Sequence, residues 1–410
     1  MYRQVDSCRC CGNSVALPFL DLGSQPLANG FHHPGSEPQA FPLAVGVCPN
    51  CFHAQLTGVV SAELLFTDYP YVSGTTTTLR TYFRWFAESV TAATGPGRVL
   101  EIGCNDGSQL AQFAALGWQT AGVDPAANLA VHASKHGAIH VGFWDRDALA
   151  GLGSERFDVI LAQNVLGHVD DCAGFLQCAR EALAPGGRIF IQTSQAQMVE
   201  SGQFDTLYHE HVSFFSMASM RMLASRVGLS VAGVRLVSVH GGSYLFELAG
   251  EESSEPWLCA RDSVARQLAE EREAGRYHLE TYRGFGARAN DVMQRTVALV
   301  ADHRKRGYRA IGYGAAAKGN TFLNACGLQL DYIVDDNPNK HGLLSPGSGI
   351  PVVSPDVLRD EERPLTVLVL AWNFFEEVKR RIQILRPHSA GRDWLIRYFP
   401  SIESERVSTP

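Results

Sequence analysis

The densest run of reactive side chains in the sequence is Thr206-Leu207-Tyr208-His209-Glu210-His211-Val212-Ser213. An imidazole titrates near neutral pH and can take a proton from an acidic carbon. A neighbouring carboxylate can orient the ring and stabilise its charged form, and a phenol can donate to a developing oxyanion. On this reading an imidazole of the run is the base, a neighbouring carboxylate steadies it and Tyr208 could donate to the oxyanion. His168, at the end of another strand, could join them. The same run also reads as a hydrogen-bonded cluster that braces a loop. It is not the H-E-x-x-H zinc pattern, whose histidines lie four apart on one helix face, so no metal is expected here.

A metal is expected at the N-terminus. Cys8-Arg9-Cys10-Cys11 and Cys48-Pro49-Asn50-Cys51 give two Cys-x-x-Cys pairs among ten cysteines. Each pair can sit on a tight turn that aims two thiolates at one ion, and two such knuckles complete a tetrahedral sulfur site. The spacing favours Cys8, Cys11, Cys48 and Cys51 as ligands over Cys10. A closed four-thiolate site leaves no position for substrate, so the ion would be structural, replacing a core that a short segment can barely supply. Chance pairs of free thiols are the alternative.

The third cluster is a glycine bend. Arg98-Val99-Leu100-Glu101-Ile102 reads as a buried strand, Gly103-Cys104-Asn105-Asp106-Gly107 as a tight turn, and Ser108 to Leu116 as a helix. Gly117 to Asp124 reads as a second strand ending in an acid, Phe157 to Ala162 as a third and Gly186 to Gln192 as a fourth. Such alternation implies a mostly parallel sheet, with ligands at the carboxyl ends of its strands. Asp124 can accept both hydroxyls of a ribose, and its distance from the bend also suits a nicotinamide dinucleotide. The bend separates these two readings. Acids at 101 and 106 would repel a pyrophosphate but suit the cationic sulfonium and ammonium of S-adenosylmethionine.

A charged stretch from Ala260 to Arg306 reads as helical. Beyond it, Ala310 to Gly319 gives a second strand, glycine turn and helix start; Asp331 to Asp336 and Leu365 to Asn373 give further strands. This is a second doubly wound unit. Its turn lacks acids and carries Lys318, which suits phosphate better than a sulfonium. The alternative is a packing domain whose glycines serve close helix–sheet contact.

The bulk properties fit a small-molecule enzyme. The 410 residues allow two or three domains, and a net charge of −7 argues against a general binder of nucleic acid or anionic membrane. No apolar run approaches a membrane span, and the first residues lack an apolar signal core, so a cytoplasmic protein is expected, as a monomer or small homo-oligomer.

The bend and Asp124 resemble those of class I methyltransferases. That resemblance implies that Glu101, Gly103, Asn105 and Asp106 line the methionine part of the cofactor and Asp124 its ribose. It places Phe143, Trp144 and Asp145 near the adenine, and Gln163 and Asn164 near the sulfonium. Phe143 and Trp144 read equally as core.

Over nearly the whole chain, the cysteine pairs, E-I-G-C-N-D-G, Y-H-E-H, H-G-G-S (His240–Ser243) and G-Y-G-A-A-A-K-G (Gly312–Gly319) occur in one order. This order is similar to that of the three-part sugar C-methyltransferases of deoxysugar biosynthesis. The family resemblance implies an α/β chain of three parts: a zinc-binding domain (1–72), a Rossmann-like methyltransferase domain (73–250), and a helical linker with a second Rossmann-like domain (251–410). It implies methylation of carbon 3 of a nucleotide-linked 4-keto-deoxysugar, with His211 as base, Glu210, Tyr208 and His168 beside it, and Tyr71 reaching in from the end of the zinc domain. His240, Ser243, Gly314, Ala315, Lys318, Asn337, Lys340 and Asn373 would hold the acceptor. His209 departs from the family pattern, which carries an acid between the tyrosine and the glutamate. Alternatives are a C-, O- or N-methyltransferase acting on a non-sugar natural-product intermediate, a nicotinamide-dependent oxidoreductase, and a non-catalytic binding protein on the same fold.

Overall fold

Continuous apolar runs such as Val99–Leu100 and Val159–Ile160–Leu161 are excluded from water on both faces, as strands in the middle of a parallel sheet must be. The computed structural model describes residues 1–14, 17–67, 72–250, 255–389 and 391–408. The chain divides into two units. The first comprises Met1–Pro18, Gly46–Gln197 and Glu210–Leu279; the second comprises Phe19–Val45, Met198–His209 and Glu280–Pro410.

The first unit is built on β1 (Arg98–Ile102), β2 (Gln119–Asp124), β3 (Ala138–Val141), β4 (Phe157–Gln163), β5 (Leu183–Ser194), β6 (Leu229–Val237) and β7 (Ser243–Gly250). Their order in the sheet is β6-β7-β5-β4-β1-β2-β3. Strands β5 to β3 run parallel, and β7 lies antiparallel between β5 and β6. The order reverses between β1 and β4, which makes their carboxyl ends the switch point where such sheets take ligands. Helix α1 (Thr77–Thr94) is capped by Thr76, whose side chain accepts from Leu79 N–H, and α2 (Ser108–Ala115) starts directly after the glycine bend. Short β3 has no fully buried residue, so its apolar signal in the sequence is weak.

The N-terminal part of this unit is a set of short pairings. Tyr2–Gln4 pairs with Gly58–Val60, and Ala54–Leu56 pairs antiparallel with Ser213–Phe214, the strand that follows His211.

The charged stretch expected as one helix is two, α3 (Ser263–Glu273) and α4 (Leu279–Lys305). The break has two causes. Gly275 takes a left-handed φ of 75°, and Arg276 turns inward to pair with buried Glu271 at 3.2 Å.

The second unit carries β8 (Arg309–Tyr313), β9 (Ile333–Val334), β10 (Val352–Val353), β11 (Leu365–Val369), β12 (Trp394–Arg397) and β13 (Glu403–Arg406), ordered β10-β9-β8-β11-β12-β13. Only the last pair is antiparallel. Helix α5 (Ala317–Cys326) follows its glycine turn. The strand expected over Asp331 to Asp336 shrinks to Ile333–Val334, and the Asp335 and Asp336 carboxylates after it accept from Ala315 N–H and Tyr313 O–H. No helix among the described residues is long and apolar enough to cross a membrane.

Candidate active site

The bend after β1 is drawn tight by its own backbone. Gly103 N–H donates to Val123 O at 2.7 Å, and Asn105 N–H donates to Asp124 Oδ2 at 2.7 Å. Gly103 has a φ of 72°, and a Cβ there would overlap Val165 Cγ2, so both conformation and space demand glycine. Asp124 also accepts from Ala126 N–H at 2.8 Å, so part of its accepting capacity fixes the loop after β2. Burial raises its carboxyl above the usual range against the pull of those two amides. Glu101 is buried, and burial together with the charges of Asp124 and Asp106 pushes its carboxyl well above the usual glutamate range.

Around this bend lie buried polar atoms with no hydrogen-bond partner among the described residues: Glu101 Oε2, both side-chain atoms of Gln163, Asn164 Oδ1, Gln192 Oε1 and Thr193 Oγ1. They sit on β1, β4 and β5 or, for Asn164, directly after β4, and Gln163 faces Gln192 across the ladder. Buried polar groups are normally satisfied, so this set at the carboxyl end fits a polar guest. A cationic guest suits the raised acid.

Backbone strain concentrates at the same end. Asn105, Asn164, Gln195 and His240 hold positive φ of 50°, 57°, 64° and 55°. Each follows a strand end or precedes β7, where strained positions mark functional sites more often than random loops.

His168 Nδ1 lies 2.6 Å from Glu210 O. A carbonyl can only accept, so this nitrogen carries the hydrogen and Nε2 of the neutral ring is left as the basic atom. The His168 and His211 rings lie 5.1 Å apart at centroid, and Gln195 Nε2 stands 3.3 Å from His211 Nδ1. Gln195 follows β5 directly and the His168 turn follows β4, so strand ends place both imidazoles. Val212, after His211, donates to Gly167 O at 2.8 Å and accepts from Leu56 N–H at 3.0 Å. Gly167 precedes His168, so one residue ties both histidine segments to the N-terminal strands. The Glu210 side chain is buried.

The remaining expected residues fall as follows. Asn105 Oδ1 accepts from Ser73 N–H, and Asp106 Oδ2 accepts from Gly74 N–H and Ser108 O–H. Asp145 caps the helix that starts at Arg146, accepting from Asp147 and Ala148 N–H. Trp144 is buried in the core and donates to Phe175 O at 3.1 Å; Phe143 is half-buried. Ser243 is buried and donates to Val239 O, while His240 is exposed. Tyr71 lies outside the described residues.

The four cysteines converge. The sulfurs of Cys8, Cys11, Cys48 and Cys51 lie within 4.8 Å of one another, with Cys8–Cys51 and Cys11–Cys48 each at 3.5 Å. Zinc–sulfur bonds of about 2.3 Å fit inside that set, and the all-thiolate chemistry suits zinc. Buried Cys10 is outside it. Arg9, a residue the spacing treats as filler, donates to Leu56 O and Val212 O.

In the second unit the glycine turn repeats the first. Gly314 N–H donates to Val334 O at 2.7 Å, Ala315 N–H to Asp335 Oδ2 at 2.6 Å, and Asn337 N–H to Asp335 Oδ1 at 2.8 Å. Lys340 Nζ donates to Ala315 O at 2.7 Å and stands 3.7 Å from Asp335. Lys318 lies 4.7 Å from the Trp372 ring centroid, and burial lowers its pKa against the opposing charge of Asp205. Asp205, which carries no local motif, is buried. It accepts from Trp372 Nε1 and Tyr398 O–H, and its Oδ1 has no partner among the described residues. Asn373 is exposed and Tyr208 half-buried. His209 is buried with Nε2 3.3 Å from Phe41 O, and burial lowers its pKa, as for a bracing residue.

Three family matches cover most of the chain: a candidate zinc-binding domain over residues 8–66, a methyltransferase domain over 77–233, and a C-methyltransferase C-terminal domain over 238–396. The C-methyltransferase NovU of Streptomyces niveus is 33% identical over 396 residues, covering 92% of each chain. A ubiquinone biosynthesis O-methyltransferase of Methylocella silvestris is 39% identical over 101 residues, 23% of this chain and 39% of that protein. The chain thus spans well under half of that relative. The magnesium protoporphyrin IX methyltransferase ChlM of Synechocystis PCC 6803, solved with bound SAH, is 16% identical with a TM-score of 0.35 over 42% of this chain and 83% of that one.

Proposed function

Because the chain belongs to the zinc-containing, S-adenosylmethionine-dependent C-methyltransferases, we propose that it methylates carbon 3 of a dTDP-linked 4-keto-deoxysugar in the cytoplasm, in deoxysugar or antibiotic biosynthesis. The observation that carries the reading is the pair of imidazoles 5.1 Å apart, set by the same strand ends that hold the unpartnered polar atoms. A base in that place is what carbon methylation needs and what transfer to an already nucleophilic oxygen or nitrogen needs less.

When bound, S-adenosylmethionine supplies an electrophilic methyl group for a carbanion formed beside it. Glu101, Gly103 and Asp124 would hold its methionine and ribose parts, with Gln163 and Asn164 near the sulfonium. The acceptor ketone makes the neighbouring C–H acidic, and His211 takes that proton. This requires the Gln195 amide to turn its oxygen to Nδ1, which puts the ring hydrogen on Nδ1 and the basic lone pair on Nε2. Glu210 steadies the imidazolium and Tyr208 the enolate oxygen. The four thiolates would hold zinc as a structural ion. Lys318 and the first turn of α5 would hold the diphosphate, with Gly314, Ala315, Asn337, Lys340 and Asn373 around it, and His240 and Ser243 towards the sugar.

A second reading makes His168 the base, since its Nδ1–H is fixed by a carbonyl and its Nε2 needs no amide flip. The test is deuterium uptake from solvent at carbon 3 of the acceptor, without methyl donor, in His211→Asn and His168→Asn variants. Loss of uptake and turnover with SAH affinity kept identifies the base. Full turnover in His211→Asn removes it from that role. Methylation by the wild-type enzyme with no uptake points to oxygen or nitrogen transfer on another acceptor.

A further inference from the structure

The segment before α1 touches the cofactor bend in a way the methyl-transfer reading does not use. Residues Ser73–Thr75 form one turn of 3-10 helix. Ser73 N–H donates to Asn105 Oδ1 at 2.9 Å, and Gly74 N–H donates to Asp106 Oδ2 at 3.1 Å. Asp106 also accepts from Ser108 O–H at 2.8 Å and Ser108 N–H at 3.2 Å. Three donors therefore occupy a carboxylate with about four acceptor sites. Arg80 holds the turn from behind, donating to Gly74 O at 2.7 Å.

Gly74 sits in close contact with the bend's side chains. A Cβ there would overlap Ser108 Oγ and lie 2.5 Å from Asp106 Oδ2. The turn thus presses directly on the bend. It also lies in the stretch between the zinc-domain match, which ends at 66, and the methyltransferase match, which begins at 77.

We propose that Asn105 and Asp106 are latch residues: they hold the 73–75 turn closed over the bend and so retain the cofactor, instead of binding its ammonium. The proposal rests on the reading of this bend as the S-adenosylmethionine site. Asn105 and Asp106 are then positioning residues. The latch makes the 73–75 turn sensitive to the geometry of the cofactor bend.

The test uses the full-length, zinc-loaded enzyme and SAH. Asp106→Asn removes an acceptor from the turn, and Gly74→Ala crowds the Ser108 and Asp106 side chains from the turn's side while leaving the carboxylate in the chain. Each should speed SAH release in stopped-flow by roughly tenfold, and the double variant should be no faster than the singles, because both break one contact. Asn105→Ala should behave likewise, while Asn105→Asp, which keeps an acceptor and tolerates positive φ, should restore slow release. Hydrogen exchange gives a readout that needs no ligand: the Ser73 and Gly74 amides should lose protection in Asp106→Asn while α1 keeps its own. Normal SAH release in Gly74→Ala with weakened affinity in Asp106→Asn would make Asp106 a direct ligand and overturn the latch. Unchanged amide protection would do the same. Failure of the wild-type enzyme to take up any SAH would overturn the cofactor reading as well, a result separate from intact SAH binding in every variant.

Discussion

Arg9 should prove to be the residue through which the zinc knuckle governs turnover. Its side chain is 2% exposed between Cys8 and Cys10. Nη1 donates to Leu56 O at 2.9 Å and to Val212 O at 3.2 Å, and Nε reaches Asp170 at 3.0 Å. Val212 adjoins His211 and bonds to Gly167, which adjoins His168. In Arg9→Met, two hydrogen bonds from a charged donor disappear, about 1.5–3 kcal/mol each. The ion pair adds little, because Asp170 is 38% exposed and regains water. Removal of Nη2, which has no partner among the described residues, offsets about 1–3 kcal/mol. Taking the middle of each range, the net loss should be about 2.5 kcal/mol, within the margin of a folded protein. Turnover should fall further than stability alone explains, about 10–100-fold, since both imidazoles lose their backing and small misplacements of reacting groups are costly. SAH affinity should stay within about twofold. Arg9→Lys should recover little, because an ammonium cannot span two carbonyls and a carboxylate as the guanidinium fork does. Urea midpoints, steady-state turnover and SAH calorimetry on the three proteins decide the matter. Full turnover in Arg9→Met, or SAH affinity falling in step with turnover, would refute the reasoning.

Two further outcomes follow from the same geometry. Cys48→Ser should release zinc to a chelator and lower the unfolding temperature, whereas Cys10→Ser should keep its metal; metal analysis by mass spectrometry separates them. Glu101 should give the unliganded protein a stability that declines with pH. Its folded pKa is raised, so above the ordinary glutamate range the folded state binds more protons than the unfolded one, and stability falls by about 1.4 kcal/mol per pH unit until the folded group ionises. Glu101→Gln should remove its part of that slope, stabilise the unliganded protein at neutral pH and weaken S-adenosylmethionine binding; a slope identical to wild type in denaturant titrations would count against this account.

What could be read from the sequence was what short spacing encodes. The Cys-x-x-Cys pairs, the glycine bend and the buried runs of β1, β4 and β5 all announce themselves within a few residues. Arg9 did not, because its partner Val212 is 203 positions away and a lysine or arginine between two ligands carries no local signature. Gln195 was hidden likewise: its value lies in a strained φ of 64° after β5 and in facing His211. Asp205 reads as an ordinary loop acid until Trp372 and Tyr398, far along the chain, are seen to donate to it. Edge strand β3 and the break between α3 and α4 escaped for an energetic reason. The first buries little, and the second joins a single glycine, Gly275, to Arg276 finding a buried acid.

The two glycine turns show how one backbone design is set for different guests. In each, the glycine N–H donates to the neighbouring strand, the next free amide donates to the acid after the second strand, and that acid turns its other oxygen to the loop beyond. Backbone geometry therefore cannot be what distinguishes them. The distinction lies in side chains that the ladder does not constrain. The first turn carries Glu101 and Asp106 against Asp124. The second has Gly312 and Ala316 at the equivalent steps, places Lys340 3.7 Å from Asp335, and adds Lys318 on the first turn of α5. At the second turn one lysine stands against Asp335 and the other against buried Asp205, so each acid there meets a cation. Leaving three acids unopposed at the first turn favours a cation. The two turns thus share one backbone design and differ in the charges set around it.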